Sequence, residues 1–138
     1  MKNRTLATDY IRRSSARLKA VRVLFAEASY ADVVREAQEI VELCLKAVLR
    51  THGIEPARVH DVSEQIEELK LKGSLSVESN LLLDQLGTAS RTLRRDRELA
   101  FYGGEDFTPG EFYKRDDGTA AMEFAEKALD AAQTLMKL

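Results

Sequence analysis

What this chain lacks narrows its class before any motif is read. It has one cysteine, two histidines, two prolines and no tryptophan in 138 residues. A single thiol, Cys44, excludes an internal disulfide. With two histidines and one cysteine there is no zinc-ligand set, and no metal or cofactor is expected. No apolar run approaches the ~20 residues needed to span a bilayer, so no membrane association is expected. The opening MKNRTLATDY lacks the continuous apolar stretch of a signal peptide. Few proline and glycine residues beside 44% apolar ones suit a helical globule, not a disordered chain. The expectation is one domain spanning 1–138, soluble, reduced and cytoplasmic.

Charge is unevenly spread. Residues 1–26 carry seven basic groups against Asp9 alone, a balance of +6, which against the net −2 leaves −8 to the remainder. A basic first helix could attract nucleic acid or an acidic partner. The alternative is a solvated face paired with the acidic helix that follows.

The stretch Asp32 to Gly53 organises the rest. Val33, Ala37, Ile40, Val41, Cys44, Leu45, Val48 and Leu49 recur at helical spacing. They cover an arc of roughly 180°, wider than the ~100° stripe of a surface helix, so this helix needs neighbours on more than one side. Asp32 is expected to cap it, Tyr30 to pack back on its start, and Gly53 to end it in a left-handed turn before Pro56. Cys44 falls in the apolar stripe and reads as a buried thiol. His52, beside Gly53, is expected to meet helix carbonyls.

A first helix is expected from about Thr5 to Ala28. A third follows Asp61-x-x-Glu64, a capping-box pattern, with Val62, Ile66 and Leu69 inward and Lys70, Lys72 and Gly73 closing it. Ser76 or Ser74 opens a fourth, reaching about Tyr102, with Leu82, Leu86, Ala89 and Leu93 as its inner stripe. Gly87 within it costs about 1 kcal/mol against alanine and points to a close helix contact. Gly103-Gly104 stops it. The loop EDFTPGEFYKRDDG is too long for a minimal connection, and Phe107, Phe112 and Tyr113 predict that it folds back on the bundle. Asp117 or Thr119 caps a fifth helix, whose Met122, Ala125, Ala128, Leu129, Ala132, Leu135 and Met136 form a small-residue seam. The fold class is all-α, an up-and-down bundle of four or five helices.

A spaced set of features resembles the HEPN family (higher eukaryotes and prokaryotes nucleotide-binding domains). These are Tyr30-x-Asp32, Arg35-Glu36-Ala37-Gln38, Glu42-x-x-x-Lys46-Ala47, Gly53-Ile54-Glu55-Pro56 and His60-Asp61. RDRELAFYG, Arg95 to Gly103, then precedes an aromatic loop and a final alanine-rich helix. The resemblance implies a bundle that dimerises. It further implies an RNA-cleaving toxin, a silent binding domain, or a protein encoded beside a small nucleotidyltransferase in a toxin–antitoxin-like pair. The RNase members carry Arg-x(4–6)-His. Here the position after four residues from Arg97 is Tyr102, and no histidine follows His60. A tyrosine with a pKa near ~10 is a poor general base at neutral pH.

Candidate residues follow from this. Arg97 is about 60° from Leu82 around the fourth helix, where a charge must find a partner or face a cleft. With Arg94 and Arg95 it would contact phosphate; the alternative is an ion pair with Glu42, Glu98 or Asp96. Tyr102 would donate to a phosphate or be modified by a partner nucleotidyltransferase; the alternative is packing. His60 precedes a helix N-terminus that can attract anions, or serves only the cap. Leu43 and Ala47 lie off the main arc and are candidates for a homodimer contact. Three functions remain: a dimeric nucleotide- or RNA-associated binding or regulatory module, a metal-independent RNase with Arg97 and either Tyr102 or His60 as its catalytic pair, and a structural dimer.

Overall fold

The computed structural model describes residues 2–56, 63–72, 75–102 and 108–137, with 93–102 described by their backbone. Six helices account for them: α1 Lys2–Ala26, α2 Tyr30–Thr51, α3 Ser63–Lys72, α4 Val77–Tyr102, α5 Pro109–Phe112 and α6 Arg115–Met136. No strand occurs among the described residues. The sixth helix relative to expectation is α5, a single turn inside the aromatic loop. Thr108 opens that turn, its Oγ1 accepting the Glu111 N–H at 3.2 Å. Tyr113 is buried behind it, while Phe112 stays 47% exposed. The loop does fold back, through one ring. Asp61, Val62, Gly73, Gly103, Gly104 and Phe107 lie outside the described residues.

α2 is the central helix. Val33, Ala37, Ile40, Val41, Cys44, Val48 and Leu49 are all fully buried. Each large aliphatic among them contributes on the order of 1.5–3 kcal/mol by leaving water. α2 touches α1, α4 and α6, whereas α1 and α4 make no contact among the described residues. The four long helices therefore form a rhombus with α2 and α6 on its short diagonal. Those two run parallel. Their starts meet where Tyr30 lies over Gly118, at which an added Cβ would stand 2.7 Å from Tyr30 Cδ1. Their ends meet where His52 Nε2 lies 3.0 Å from the Leu135 carbonyl oxygen. The small residues Ala121, Ala125, Ala128, Ala131 and Ala132 of α6 are buried and permit the approach.

Several local expectations shift. Asp32 does not cap α2: the helix begins two residues earlier, after Ser29, and Asp32 sits in its first turn accepting from Ser29 Oγ at 2.6 Å. Tyr30 does not fold back on its own helix but meets the Phe25 ring edge-on at 5.5 Å. α6 starts at Arg115, ahead of Asp117 and Thr119, and the Asp117 carboxylate accepts the Lys114 N–H at 2.8 Å. In α4 the buried side is Ser79, Leu83, Leu86, Ala89 and Ser90, with Leu82 only half-buried. The end of α2 holds as expected: Gly53 has φ 77, and the N–H groups of Gly53 and Ile54 reach the carbonyls of Arg50 and Leu49 at 3.1 and 2.9 Å.

Candidate functional site

α4 carries most of the candidates, and its first half is well anchored. Ser76 caps it, Oγ accepting the Ser79 N–H at 3.1 Å. α3 crosses at Gly87, where an added Cβ would meet Ile66 Cδ1 at 2.9 Å. Lys70 of α3 donates to Asp84 Oδ1 at 2.9 Å, and that bond raises the ammonium above its ordinary pKa. The close helix contact expected at Gly87 is therefore present. Arg91, one turn on, is exposed and donates to Thr88 Oγ1 at 3.4 Å.

Beyond Thr92 the helix continues through Arg94, Arg95, Arg97 and Tyr102, whose side chains lie outside the described residues. Their register on the backbone is still defined. Counting from the buried Leu86 at about 100° per residue, position 97 lies ~20° away and 94 ~80° away. Positions 95 and 102 lie ~180° and ~160° away. On the backbone, position 97 is thus closer in register to Leu86 than to Leu82. Arg97 and Tyr102 are ~140° apart on one helix, whereas Arg95 and Tyr102 share a side. His60 lies outside the described residues.

The other candidates are placed directly. Ala47 is fully buried within the single chain, so its side chain is not available to a second copy. The arc read from sequence is too narrow for a helix packed on most of its circumference. Leu43 is half-buried. His52 meets a helix carbonyl, as expected, at Leu135 of α6. Cys44 is buried with its Sγ hydrogen-bonded to Ser14, and burial pushes the thiol up to about 12. It is no nucleophile. No group of three or more His, Cys, Asp or Glu able to hold a metal occurs among the described residues. No helix among them is long and apolar enough to cross a membrane.

Sequence reading missed one concavity, an open groove of about 500 Å³ between α4 and α6. Leu86, Ala89, Phe124 and Ala128 floor it, with Asp84 and Lys127 at the rim. Each helix alone shows these residues as the edge of a core stripe. Only the pairing of two segments some forty positions apart in sequence makes them a groove.

The basic first helix is partly paired, as its charge pattern allowed. Arg17 Nη1 meets Glu36 Oε2 of α2 at 2.8 Å. Arg12 pairs within α1 to Asp9 at 2.7 Å.

Comparison with known proteins adds what geometry alone does not. A protein of Methanocaldococcus jannaschii named "Putative toxin MJ1304" is 29% identical over 132 residues, covering 93% of this chain and 86% of that one. No solved structure matches the chain significantly. The HEPN domain profile matches residues 7–135, a span that takes in all four long helices and the arginine-rich end of α4. An all-α rhombic bundle, carrying the spaced residues noted above and matched across nearly its whole length, belongs to the HEPN family.

Proposed function

We propose that this chain is a toxin-type HEPN protein acting as a dimeric nucleotide- or RNA-associated binding or regulatory module. Its partner is a small nucleotidyltransferase encoded beside it, in a toxin–antitoxin-like pair. The observation that carries the proposal is a family match over residues 7–135 in a chain with no histidine after His60. The toxin name of the archaeal relative supports the type. Arg94, Arg95 and Arg97 supply cationic forks for phosphate, and Tyr102 supplies a hydroxyl to donate or to be modified. Leu43 contributes to the dimer contact.

The competing RNase reading needs a general base. The position after four intervening residues from Arg97 holds Tyr102, and a tyrosine, with an ordinary pKa near ~10, is a poor base at neutral pH. Co-expression with the neighbouring nucleotidyltransferase, followed by co-purification and RNA incubation, tests the proposal. A stable complex and intact RNA are expected. RNA cleaved by the wild type and spared by Arg97→Ala would replace it with the enzyme reading. A neighbour that never co-purifies would remove the partner.

A further inference from the structure

α1 presents a second cationic surface, separate from the end of α4. Its buried side, Ala7, Ser14, Leu18 and Val21, packs on the bundle. On another side, Arg4, Thr8, Arg12, Ser15, Lys19 and Arg22 follow one another at spacings of three and four residues. At about 100° per residue these six fall within an ~80° arc, and at ~1.5 Å per residue the row is ~27 Å long. Arg4, Thr8, Arg12, Lys19 and Arg22 are exposed and Ser15 is half-buried. No carboxylate and no bulky apolar residue lies within the arc. The acid of α1, Asp9, lies ~60° beyond its edge and takes Arg12 Nη2 at 2.7 Å. Arg4, Lys19 and Arg22 have no partner among the described residues.

We propose that this face of α1 holds the phosphodiester backbone of an RNA strand without reading its sequence. Every side chain in the row is a hydrogen-bond donor of the kind that contacts phosphate, guanidinium, ammonium or hydroxyl. An acidic protein partner would call for an aromatic or aliphatic anchor at the centre of the contact; the row has none, and the exposed Val23 lies ~20° outside its edge. The linear array suits a linear polyanion. Its isolation matters too: among the described residues α1 and α4 do not touch, so this face belongs to a different flank of the bundle from α4. That the strand is RNA rests on the function proposed above; that the ligand is a polyphosphate backbone rests on α1 alone.

The test is fluorescence anisotropy of a labelled oligouridylate long enough to span the face, with the full chain, between about 50 and 200 mM salt. Four phosphate contacts give a slope of log affinity on log salt of about −3. The triple variant Arg4→Gln/Lys19→Gln/Arg22→Gln changes exposed residues only, and circular dichroism checks its fold. Its slope should fall to about −1 and its affinity on the order of 100-fold at ~100 mM salt. Lys127→Gln, an exposed cation of α6 outside the row, should retain the steep slope. A triple variant that binds like the wild type overturns the proposal. So does loss of binding in Arg97→Ala alone, which would assign the strand to α4 and leave the proposed function standing. Poly-glutamate competing as well as RNA would assign the face to an acidic polypeptide and also overturn it. RNA binding on α1 in a protein that never engages a nucleotidyltransferase would uphold this inference while the proposed partner fails.

Discussion

Ala28 offers a test in which putting glycine into the chain should stabilise it. The residue has φ 59, in the left-handed region, where a side chain strains the backbone. It ends α1 by the same device that ends α2. Ala28 and Ser29 donate to the carbonyls of Phe25 and Leu24 at 3.0 and 2.9 Å, as Gly53 and Ile54 do to Arg50 and Leu49 at 3.1 and 2.9 Å. One motif uses glycine and the other alanine. A left-handed alanine costs roughly 1–2 kcal/mol. Glycine relieves that, but returns about 0.4–1 kcal/mol through the greater freedom of its unfolded chain. The net expectation for Ala28→Gly is a gain of about 0.5–1 kcal/mol. Urea unfolding reads this as a midpoint raised by ~0.3–0.5 M at an m value near ~2 kcal/mol/M. Ala20→Gly, exposed in the interior of α1, supplies the opposite sign, a loss of about 1 kcal/mol. If Ala28→Gly falls to or below the wild type, the helix-end reasoning is refuted.

Other expectations follow from the packing. Gly118→Ala places a methyl 2.7 Å from Tyr30 Cδ1, in a ring braced by Phe25, so overpacking of about 1–3 kcal/mol should outweigh the ~1 kcal/mol gained in helix propensity. Its melting temperature should fall; Gly87→Ala, meeting only the flexible ends of Ile66 and Arg91, should leave it nearly unchanged. Cys44 keeps its proton to about 12 when folded, against 9.0 for the ordinary thiol. Between those values the unfolded chain binds fewer protons than the folded one, so stability falls as pH rises, by up to ~1.4 kcal/mol per pH unit. Urea midpoints above pH ~9 check this, and Cys44→Ala should remove that part of the slope. Gln38 is fully buried and donates to Glu42 Oε1 at 2.7 Å, but its own Oε1 has no partner among the described residues. Gln38→Met gives up a bond to a carboxylate worth about 1.5–3 kcal/mol and recovers a desolvation cost of about 1–3 kcal/mol, so the two should nearly cancel. A large loss in urea unfolding would refute that accounting.

Why some of this was legible in sequence and some not comes down to period and length. α2 was readable because its apolar residues keep one helical period over six turns, and the same pattern gives the alanine seam of α6. α4 was misread by one residue because Leu81-Leu82-Leu83 offers three adjacent starts for the stripe, and only contact with α2 selects Leu83. The four residues of α5 are too few to carry a period. Asp32 has the chemistry of a cap, but the tight turn through Ala28 delivers the chain to Ser29 first. Ala47 looked available for a dimer because an arc drawn from apolar residues ignores that alanine fits against a neighbour anywhere on a central helix. Candidate sites were legible as residue types, Arg94 to Arg97 above all, and their register on α4 became definite once Leu83 and Leu86 fixed its buried side.

The short diagonal of the rhombus is what relates these surfaces. Gly118 and the alanines of α6 let α6 and α2 close on one another, and that closure forces α1 and α4 to opposite flanks. The basic row of α1 and the arginine-rich end of α4 are thereby parted by the thickness of the α2–α6 pair. A charge sum along the sequence merges them into one basic character; the bundle carries them on two helices that do not meet among the described residues. Phosphate contacts of the kind proposed at each, screened beyond ~10 Å at ordinary salt, would then act as separate sites within one chain. A strand that engaged both at once would have to wrap the bundle or pass to a second copy.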